Sequence, residues 1–477
     1  MAHVFRLGIS VAMGTLLRLD SGLPASGGAG QPFLVPLRRE LYPVRRDGQV
    51  VSFKTSYSGI IHLGQPTPQE FRVVFDTGSG HIVLPSVECT SVTCKKHRRF
   101  DAGASKTAWP INLDGLAVQG RPDKVTIGFG TGRIVGKFVR ERVCLGSAAF
   151  DPLANSAHGG PCAETNVVMA IDMSQKPFEL FDFDGILGLG LHSLSLNKNF
   201  SFSNLLVSGS KIASPQFGVL LSEGDGGEES EIAFGGYNPR HMASPLAWVP
   251  MAKPELGYWQ VAILSVSIGG KRMEACGDGS CYGVLDSGTS HLGLPASLSP
   301  TVNDLLTRPA GDTQDCRVVR APRLDIELQG VTLTLHPRTY MRRLPVSEEL
   351  RADMSSSMLE SSFLSKSAPT NSSCTPKLLS VNLPSLGKNA FILGEPVLHR
   401  YYTVFDWAKL QAGFAVRALH EPQQQPGPAG GSSDHEEVQD ALVLLEHGAL
   451  MSTRRGDVKD STHAHLAKEA AKPPEAG

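Results

Sequence analysis

The 477-residue chain carries a formal net charge of −1, and 41% of its residues are hydrophobic. This length and apolar content can fill two lobes of ordinary domain size, which excludes a small disordered protein. A nearly neutral chain has no overall field that would attract nucleic acid, so we expect no nucleic-acid partner.

The first thirty residues have the character of an N-terminal leader. Arg6 precedes the apolar stretch 7–17, and small residues follow between 25 and 30. This order is typical of a secretory signal peptide, although Arg18 and Asp20 lie near the expected cleavage region. No later apolar run approaches the length of a membrane-spanning helix, so we predict no transmembrane segment.

The body of the chain predicts a mainly β fold. Residues 50–63 and 71–75 alternate as strands do, with the turn sequence Gln-Pro-Thr-Pro at 65–68 between them. The same pattern of short strands and turns recurs, and 50 glycines and 32 prolines leave little room for long helices.

A decapeptide that occurs twice is the most informative feature. One copy begins at Asp76 as Asp-Thr-Gly-Ser-Gly-His-Ile-Val-Leu-Pro, and the other begins at Asp286 as Asp-Ser-Gly-Thr-Ser-His-Leu-Gly-Leu-Pro. The sequence Ile-Leu-Gly at 186–188 recurs at 392–394, at nearly the same separation. We therefore predict two homologous halves that face each other across an approximate dyad.

The chemistry of this repeat depends on its occurring twice. A single Asp-Thr-Gly is usually a turn, whereas two copies after apolar strands predict a pair of facing carboxyl groups. The hydroxyl residue after each Asp can hydrogen-bond across the dyad, and the glycine lets the backbone approach closely. Two adjacent carboxyl groups share one proton, so an ionised one can activate water while its protonated partner binds a carbonyl. Since the pair titrates jointly, neither residue alone is assigned the base role.

These motifs resemble the pepsin family, which includes cathepsin D, renin and the plasmepsins, from Ser56 to Arg417. The resemblance implies a bilobal acid-protease fold with pseudo-twofold symmetry, protein or peptide substrates, a monomer, and no cofactor or metal. The other matching segments are 128–132, 183–190, 248–250, 257–260, 392–394 and 401–406.

The resemblance also implies a role for individual residues. The catalytic residues would be Asp76 and Asp286. The residues that support the dyad would be Thr77, Ser79, Ser287 and Thr289. The substrate-binding residues would be Gly78, Gly288, Phe129, Gly130, Thr131 and Tyr258, with Phe129, Gly130 and Thr131 at the tip of a flap hairpin.

The eight cysteines fall into short-spaced or loop-bracketing pairs, which favours disulfides and an oxidising compartment over zinc. The resemblance implies three usual family disulfides, Cys89–Cys94, Cys276–Cys281 and Cys316–Cys374, with Cys144–Cys162 as an additional one. Together with the leader and the glycosylation sequons at Asn199 and Asn371, these pairs predict the secretory pathway. We expect an acidic, lysosome-like vesicle or secretion.

Two departures from the family pattern concern the flap. Pepsin-like flaps usually carry a Tyr at the position of Phe129, and its hydroxyl usually pairs with a Trp at the position of Val83. Because both partners are missing together, no buried donor loses its acceptor. We predict a functional but more apolar flap, as in the plasmepsin-like branch; loss of catalysis is the alternative.

The predicted domain organisation has five parts. They are a leader at 1–30, a short prosegment at 31–50, an N-terminal lobe with the flap at 51–240, a C-terminal lobe at 241–418 and a disordered tail at 419–477. Residues 31–50 could instead form an edge strand of the mature protein. Within the tail, residues 436–450 show an amphipathic pattern, which is more often a weak local helix than a docking element.

Other interpretations remain open. His81 and His291 occupy equivalent positions in the repeats, where they could simply hydrogen-bond beside the loops or form a pH-sensing pair. A protein of this fold could also bind peptides without cutting them, although the intact Asp motifs favour catalysis. The sequence contains no Gly-x-Ser-x-Gly elbow and no zinc-ligand pattern, which argues against serine and metal hydrolases.

Overall fold

A computed structural model describes residues 31–46, 49–146, 160–224, 229–347, 372–387, 389–418, 444–452 and 458–460. The predicted leader and residues 348–371, which lie between Cys316 and Cys374, are outside these ranges. The described chain is mainly β and has the bilobal arrangement with pseudo-twofold symmetry, which confirms the predicted fold class.

The first half of the chain forms short strands and two short α-helices. The strands are β1 (Phe33–Arg46), β2 (Gln49–Leu63), β3 (Gln69–Asp76), β4 (Ile82–Pro85), β5 (Trp109–Ile111), β6 (Lys124–Phe129), β7 (Gly132–Leu145), β8 (Cys162–Met173), β9 (Gly185–Gly188), β10 (Gln216–Leu220) and β11 (Ser230–Phe234). The helices are α1 (Val92–Lys96) and α2 (Phe202–Ser208).

The second half likewise consists of short strands and short helices. Its strands are β12 (Ala247–Pro250), β13 (Gln260–Ile268), β14 (Lys271–Arg272), β15 (Cys281–Leu285), β16 (Leu292–Pro295), β17 (Arg308–Pro309), β18 (Leu324–Leu328), β19 (Val331–Leu335), β20 (Val346–Ser347), β21 (Ser372–Cys374), β22 (Leu378–Val381), β23 (Asn389–Leu393), β24 (Tyr401–Asp406) and β25 (Gln411–Val416). Its α-helices are α3 (Ser299–Leu306), α4 (Pro337–Tyr340) and α5 (Glu395–Leu398), and two strands of the tail follow, β26 (Glu446–Ser452) and β27 (Val458–Asp460).

Short 3₁₀ helices connect several of these elements, as a chain rich in glycine and proline allows. They are Ala102–Ala104, Phe178–Leu180, His192–Leu194, Pro239–His241, Pro254–Leu256, Glu274–Cys276, Cys316–Val318 and Pro384–Leu386. None of the helices in the described ranges has the length and apolar character needed to cross a bilayer.

Three sheets organise the described strands. The largest has sixteen strands, and its main path runs β12, β25, β24, β10, β11, β1, β2, β3, β9, β4, β8, β7, β6, β26, β27, with β5 on β7. The second has eight strands, and its main path runs β19, β18, β13, β15, β23, β16, β22, with β14 on β13. The third contains β17, β21 and β20. Since the large sheet contains strands from both halves of the chain, its backbone hydrogen bonds join the two halves.

The predicted internal repeat is visible in the strand pairing. In the first half, β9 pairs parallel with β3 and antiparallel with β4, while β4 pairs parallel with β8. In the second half, β23 pairs parallel with β15 and antiparallel with β16, while β16 pairs parallel with β22. The two decapeptides therefore begin at the same point of two equivalent substructures, where β3 and β15 end.

Residues 31–50, which could be a prosegment or an edge strand, contain all of β1. The first part of β1 pairs with β11 and its second part pairs with β2, so the strand joins these two neighbours inside the large sheet. Val35 is fully buried there. Removal of this segment during maturation stays a prediction.

The part of the tail that the structure describes forms strands, whereas the sequence predicts a disordered tail. Strand β26 pairs antiparallel with β6, β27 pairs with β26, and Leu444, Leu445 and Glu446 are buried. A disordered tail is therefore wrong for residues 444–452, and so is a helix at 446–450. A short isolated helix is marginal in water, whereas the extended chain gains backbone partners on β6 and buries two leucines. Residues 419–443 lie outside the described residues.

Candidate active site

The two carboxyl groups of the repeat lie at the ends of equivalent strands. Asp76 is the last residue of β3, and Asp286 directly follows β15, where its amide donates to the Leu393 carbonyl at 3.3 Å. Both Asp side chains are fully buried. The apolar strands before them place each carboxyl group at the bottom of the same cleft.

The glycines of the two motifs show how closely the halves approach. A Cβ atom placed on Gly78 would lie 2.7 Å from Asp286 Oδ1, and one placed on Gly288 would lie 2.5 Å from Asp76 Oδ1. Each glycine therefore sits against the carboxyl group of the opposite half, where any side chain would collide with it.

Hydroxyl groups join the loops across the dyad, as the sequence predicts. The Thr77 hydroxyl donates to the Leu285 carbonyl at 2.8 Å and accepts from the Ser287 amide at 2.9 Å. In the mirrored arrangement, the Ser287 hydroxyl donates to the Phe75 carbonyl at 2.7 Å and accepts from the Thr77 amide at 3.0 Å. These four bonds fix both loops in one relative position.

Further donors hold the carboxyl oxygens. The Gly78 amide donates to Asp76 Oδ1 at 2.9 Å, and the Gly288 amide donates to Asp286 Oδ1 at 2.8 Å. The Thr289 hydroxyl donates to Asp286 Oδ2 at 2.6 Å. Ser79, at the equivalent position of the first motif, is fully buried beside Asp76.

The protonation of the pair follows from this geometry. Burial raises the pKa of Asp76 well above its ordinary value, and the charge of Asp286 raises it further, whereas the Ser79 hydroxyl and the Gly78 amide oppose part of the rise. Burial also raises the pKa of Asp286, against the hydrogen bonds from Thr289 and Gly288. The pair thus favours a state in which one proton is shared.

The predicted flap is a β-hairpin formed by β6 and β7. Phe129 ends β6, Gly130 has a φ of 54°, and Thr131 is exposed in the turn. The Phe129 ring is fully buried and meets the Phe178 ring edge-on, with 6.3 Å between centroids. Val83 belongs to the same apolar cluster, so this position needs no hydrogen-bonding partner for an aromatic hydroxyl.

The cleft contains residues that the sequence did not single out. The Glu446 amide donates to the Gly78 carbonyl at 3.1 Å, and the Gly130 amide donates to the Leu445 carbonyl at 3.4 Å. The Tyr258 hydroxyl donates to the Glu446 carbonyl at 2.6 Å. Residues predicted to bind substrate backbone therefore bind the protein's own tail. The sequence feature that could have indicated this segment is the apolar run Ala-Leu-Val-Leu-Leu at 441–445 inside a polar tail.

The two repeat histidines have different surroundings. His81 Nδ1 lies 2.9 Å from Glu446 Oε1, and its Nε2 accepts from the Leu196 amide at 3.0 Å. His291 is buried with its Nδ1 3.0 Å from the Ser290 hydroxyl, and burial holds its pKa well below the ordinary value. The two equivalent positions therefore have different surroundings, and His81 contacts the segment that occupies the cleft.

The cysteine residues are paired in disulfides and take no part in the chemistry of the cleft. In the structure they form the disulfides Cys89–Cys94, Cys144–Cys162, Cys276–Cys281 and Cys316–Cys374. These are the four pairs expected from the sequence. Within the described ranges, no group of three or more His, Cys, Asp or Glu side chains is arranged to hold a metal ion.

Comparisons with known proteins agree with this geometry. The family model for eukaryotic aspartyl proteases matches residues 56–417. Phytepsin of Hordeum vulgare is 32% identical over 63% of the chain and 55% of its own length. Cathepsin E of Rattus norvegicus is 28% identical over 75% of the chain and 79% of its own length. Pepsin A-5 of Mus musculus is 32% identical over 76% of the chain and 81% of its own length.

Proposed function

This chain belongs to the eukaryotic aspartyl proteases and is an aspartic endopeptidase, and we propose that Asp76 and Asp286 are the residues that cut the peptide bond. The observation that carries this assignment is the contact of each carboxyl group with the glycine of the opposite motif. Two fully buried carboxyl groups face each other there, with hydroxyl and amide donors around them.

The reaction follows from the shared proton. The ionised carboxylate accepts a proton from a water molecule, whose oxygen attacks the carbonyl carbon, while the protonated carboxyl group donates its proton to the carbonyl oxygen. The resulting tetrahedral intermediate breaks its C–N bond as the amide nitrogen takes a proton from the protonated carboxyl group and a hydroxyl of the intermediate returns a proton to the ionised one. Burial of the pair keeps the half-protonated state available without a metal ion.

We infer that the remaining predicted residues hold the substrate and the dyad. Thr77 and Ser287 fix the loops, while Ser79 and Thr289 support the carboxyl groups. Because Gly78, Gly130 and Tyr258 already bind an extended segment of this chain, they are suited to bind a substrate strand in the same way. Gly288, Phe129 and Thr131 complete the cleft and the flap tip.

We propose that the protein acts on proteins or peptides as a monomer with its N-terminal lobe at 51–240 and its C-terminal lobe at 241–418. Each lobe supplies one Asp and one copy of the repeated strand arrangement. Phe129 lies in an apolar cluster, which suits substrates with apolar side chains next to the cleaved bond.

We propose the secretory pathway as the compartment, either an acidic vesicle or the exterior. Four disulfides support an oxidising environment. Asn199 of the first sequon is exposed, as glycosylation requires, whereas Asn371 lies outside the described residues.

Cleavage of a denatured protein by the purified full-length chain, with and without limited acid activation, tests the assignment between pH 3 and pH 7. Asp76→Asn and a pepstatin-type inhibitor should each abolish cleavage. Asp114→Asn, in an exposed turn, is the matched control and should cleave as the wild type does. An active Asp76→Asn protein would refute the dyad, and a wild type that binds the substrate but cuts nothing between pH 3 and pH 7 would favour a peptide-binding role.

A further inference from the structure

We propose that His81 and the Gly80 amide form a carboxylate-binding subsite beside the dyad, that Glu446 of the same chain occupies it and restrains the enzyme, and that substrates with an acidic side chain at this position are preferred. This inference rests on the proposed function of the cleft.

The tail lies in the cleft as a substrate strand would. Glu446 is hydrogen-bonded to the Gly78 carbonyl, in the loop of Asp76, and the Leu444 Cβ atom lies 3.0 Å from where a Cβ on Gly288 would be, in the loop of Asp286. The peptide bond between Leu444 and Leu445 therefore lies between the two catalytic loops. Counting from that bond, Glu446 is the second residue on its C-terminal side.

The two leucines occupy separate apolar surroundings. Leu444 is fully buried in the cluster that contains Phe129 and Phe178. Leu445 is 2% exposed and belongs to a cluster with Leu194 and Leu386. Burying two leucines on opposite sides of the dyad is the main favourable contribution to docking, but it does not select for an acidic neighbour.

The selection for a carboxylate comes from the donors around Glu446. The Leu196 amide donates to His81 Nε2, so the ring proton is on Nδ1, which donates to Glu446 Oε1 at 2.9 Å. The Gly80 amide donates to Oε2 at 2.9 Å. Both oxygens thus face a donor, and a Gln side chain would turn its NH₂ group towards one of them.

Burial makes this contact selective. The His81 side chain is fully buried and that of Glu446 is 3% exposed, so water cannot replace a lost partner easily. His81 also meets the Phe200 ring edge-on at 5.7 Å, which fixes the imidazole orientation. A substrate with an apolar side chain here would leave both donors without an acceptor, and one with an amide side chain would leave one of them without an acceptor.

The tail can reach the cleft within one molecule. The 26 residue steps from Ala418 to Leu444 can extend to about 90 Å at roughly 3.5 Å per residue. A globular body of about 400 residues has a radius of gyration of about 21 Å, which corresponds to a diameter of about 55 Å. An intramolecular occupant lowers the apparent affinity for substrate by the fraction of molecules in which the cleft is open.

The first experiment measures steady-state rates on a peptide substrate for the full-length wild type, Glu446→Gln and Glu164→Gln. Glu164 is exposed and serves as the matched control. We expect Glu446→Gln to lower KM by about three- to tenfold with kcat unchanged, because a weaker internal ligand competes less. Glu164→Gln should equal the wild type. Equal KM values in all three proteins would overturn the restraint, as would a specific rate of the wild type that falls with enzyme concentration.

The second experiment measures binding, so it does not depend on hydrolysis. Labelled peptides with the sequence of residues 441–452, carrying Glu or Gln at the position of 446, are titrated into the full-length Asp76→Asn/Glu446→Gln protein and its His81→Gln derivative. The Glu peptide should bind about tenfold more tightly than the Gln peptide, and His81→Gln should remove the difference. Equal binding of the two peptides would refute the carboxylate subsite. Selective binding by a wild type that cuts nothing would refute only the proposed proteolysis.

Discussion

Replacing Thr77 by Val tests whether the cross-dyad hydrogen bonds hold the two lobes together. The substitution keeps the shape of the side chain and removes only its hydroxyl. In the structure that hydroxyl pairs with two backbone groups of the opposite half, the Leu285 carbonyl at 2.8 Å and the Ser287 amide at 2.9 Å. Both would become unpaired in a fully buried site.

The expected loss of stability is large for a substitution that removes one hydroxyl group. An unsatisfied buried polar group costs about 1–3 kcal/mol, so two such groups predict a decrease of about 2–6 kcal/mol in the free energy of unfolding. Thr332→Val, on the exposed face of β19, is the matched control and should change the stability by less than about 0.5 kcal/mol.

Urea unfolding followed by tryptophan fluorescence measures both variants against the wild type at one pH. Ser287→Ala and the double variant complete a thermodynamic cycle, in which we expect the two changes to be non-additive because the residues share their partners. A Thr77→Val protein as stable as Thr332→Val would refute the view that these bonds fix the lobes.

Three further predictions concern pH and covalent links. A carboxyl group whose pKa is raised in the folded state contributes stability at low pH that is lost as the pH rises. The free energy of unfolding of Asp76→Asn, relative to that of the wild type, should therefore be higher at pH 7 than at pH 3.5. An equal difference between the two proteins at both pH values would contradict this. Burial raises the pKa of Glu395 from 4.5 to about 8, so Glu395→Gln should match the wild type near pH 4 and exceed it at pH 8 by up to about 5 kcal/mol in urea unfolding, unlike the exposed Glu164→Gln. Replacing the Cys316–Cys374 pair, which spans 58 residues, by serines should cost about 4 kcal/mol, and replacing Cys89–Cys94, which spans 5, about 2 kcal/mol; equal losses in thermal unfolding would count against the loop-length explanation.

The dyad could be predicted from the sequence because its parts are local and repeated. Asp76 and Asp286 each begin a copy of one decapeptide, and the strands before them are apolar in both copies. Equivalent local structures related by a dyad bring equivalent side chains together, so the contact between the halves follows from the repeat. The hydroxyls of Thr77 and Ser287 follow for the same reason.

The occupant of the cleft could not be predicted in this way. Residues 436–450 have an apolar spacing that suits a helix, and their strand partner β6 is more than three hundred positions away in the sequence. Pairing with a distant strand is a tertiary effect that overrides a weak local preference. Likewise, the role of His81 depends on Glu446 and Leu196, neither of which is near it in the sequence.

The apolar flap and the tail are physically connected. The hairpin is held at Phe129 by apolar packing against neighbours such as Phe178. Strand β26 pairs with β6 along Lys124–Phe129, so the tail supplies backbone hydrogen bonds to a strand that would otherwise be at the edge of the sheet. Departure of the tail therefore opens the cleft and exposes this edge at the same time. If a substrate strand binds to β6 in the proposed way, it would replace the backbone hydrogen bonds that this strand loses with the tail.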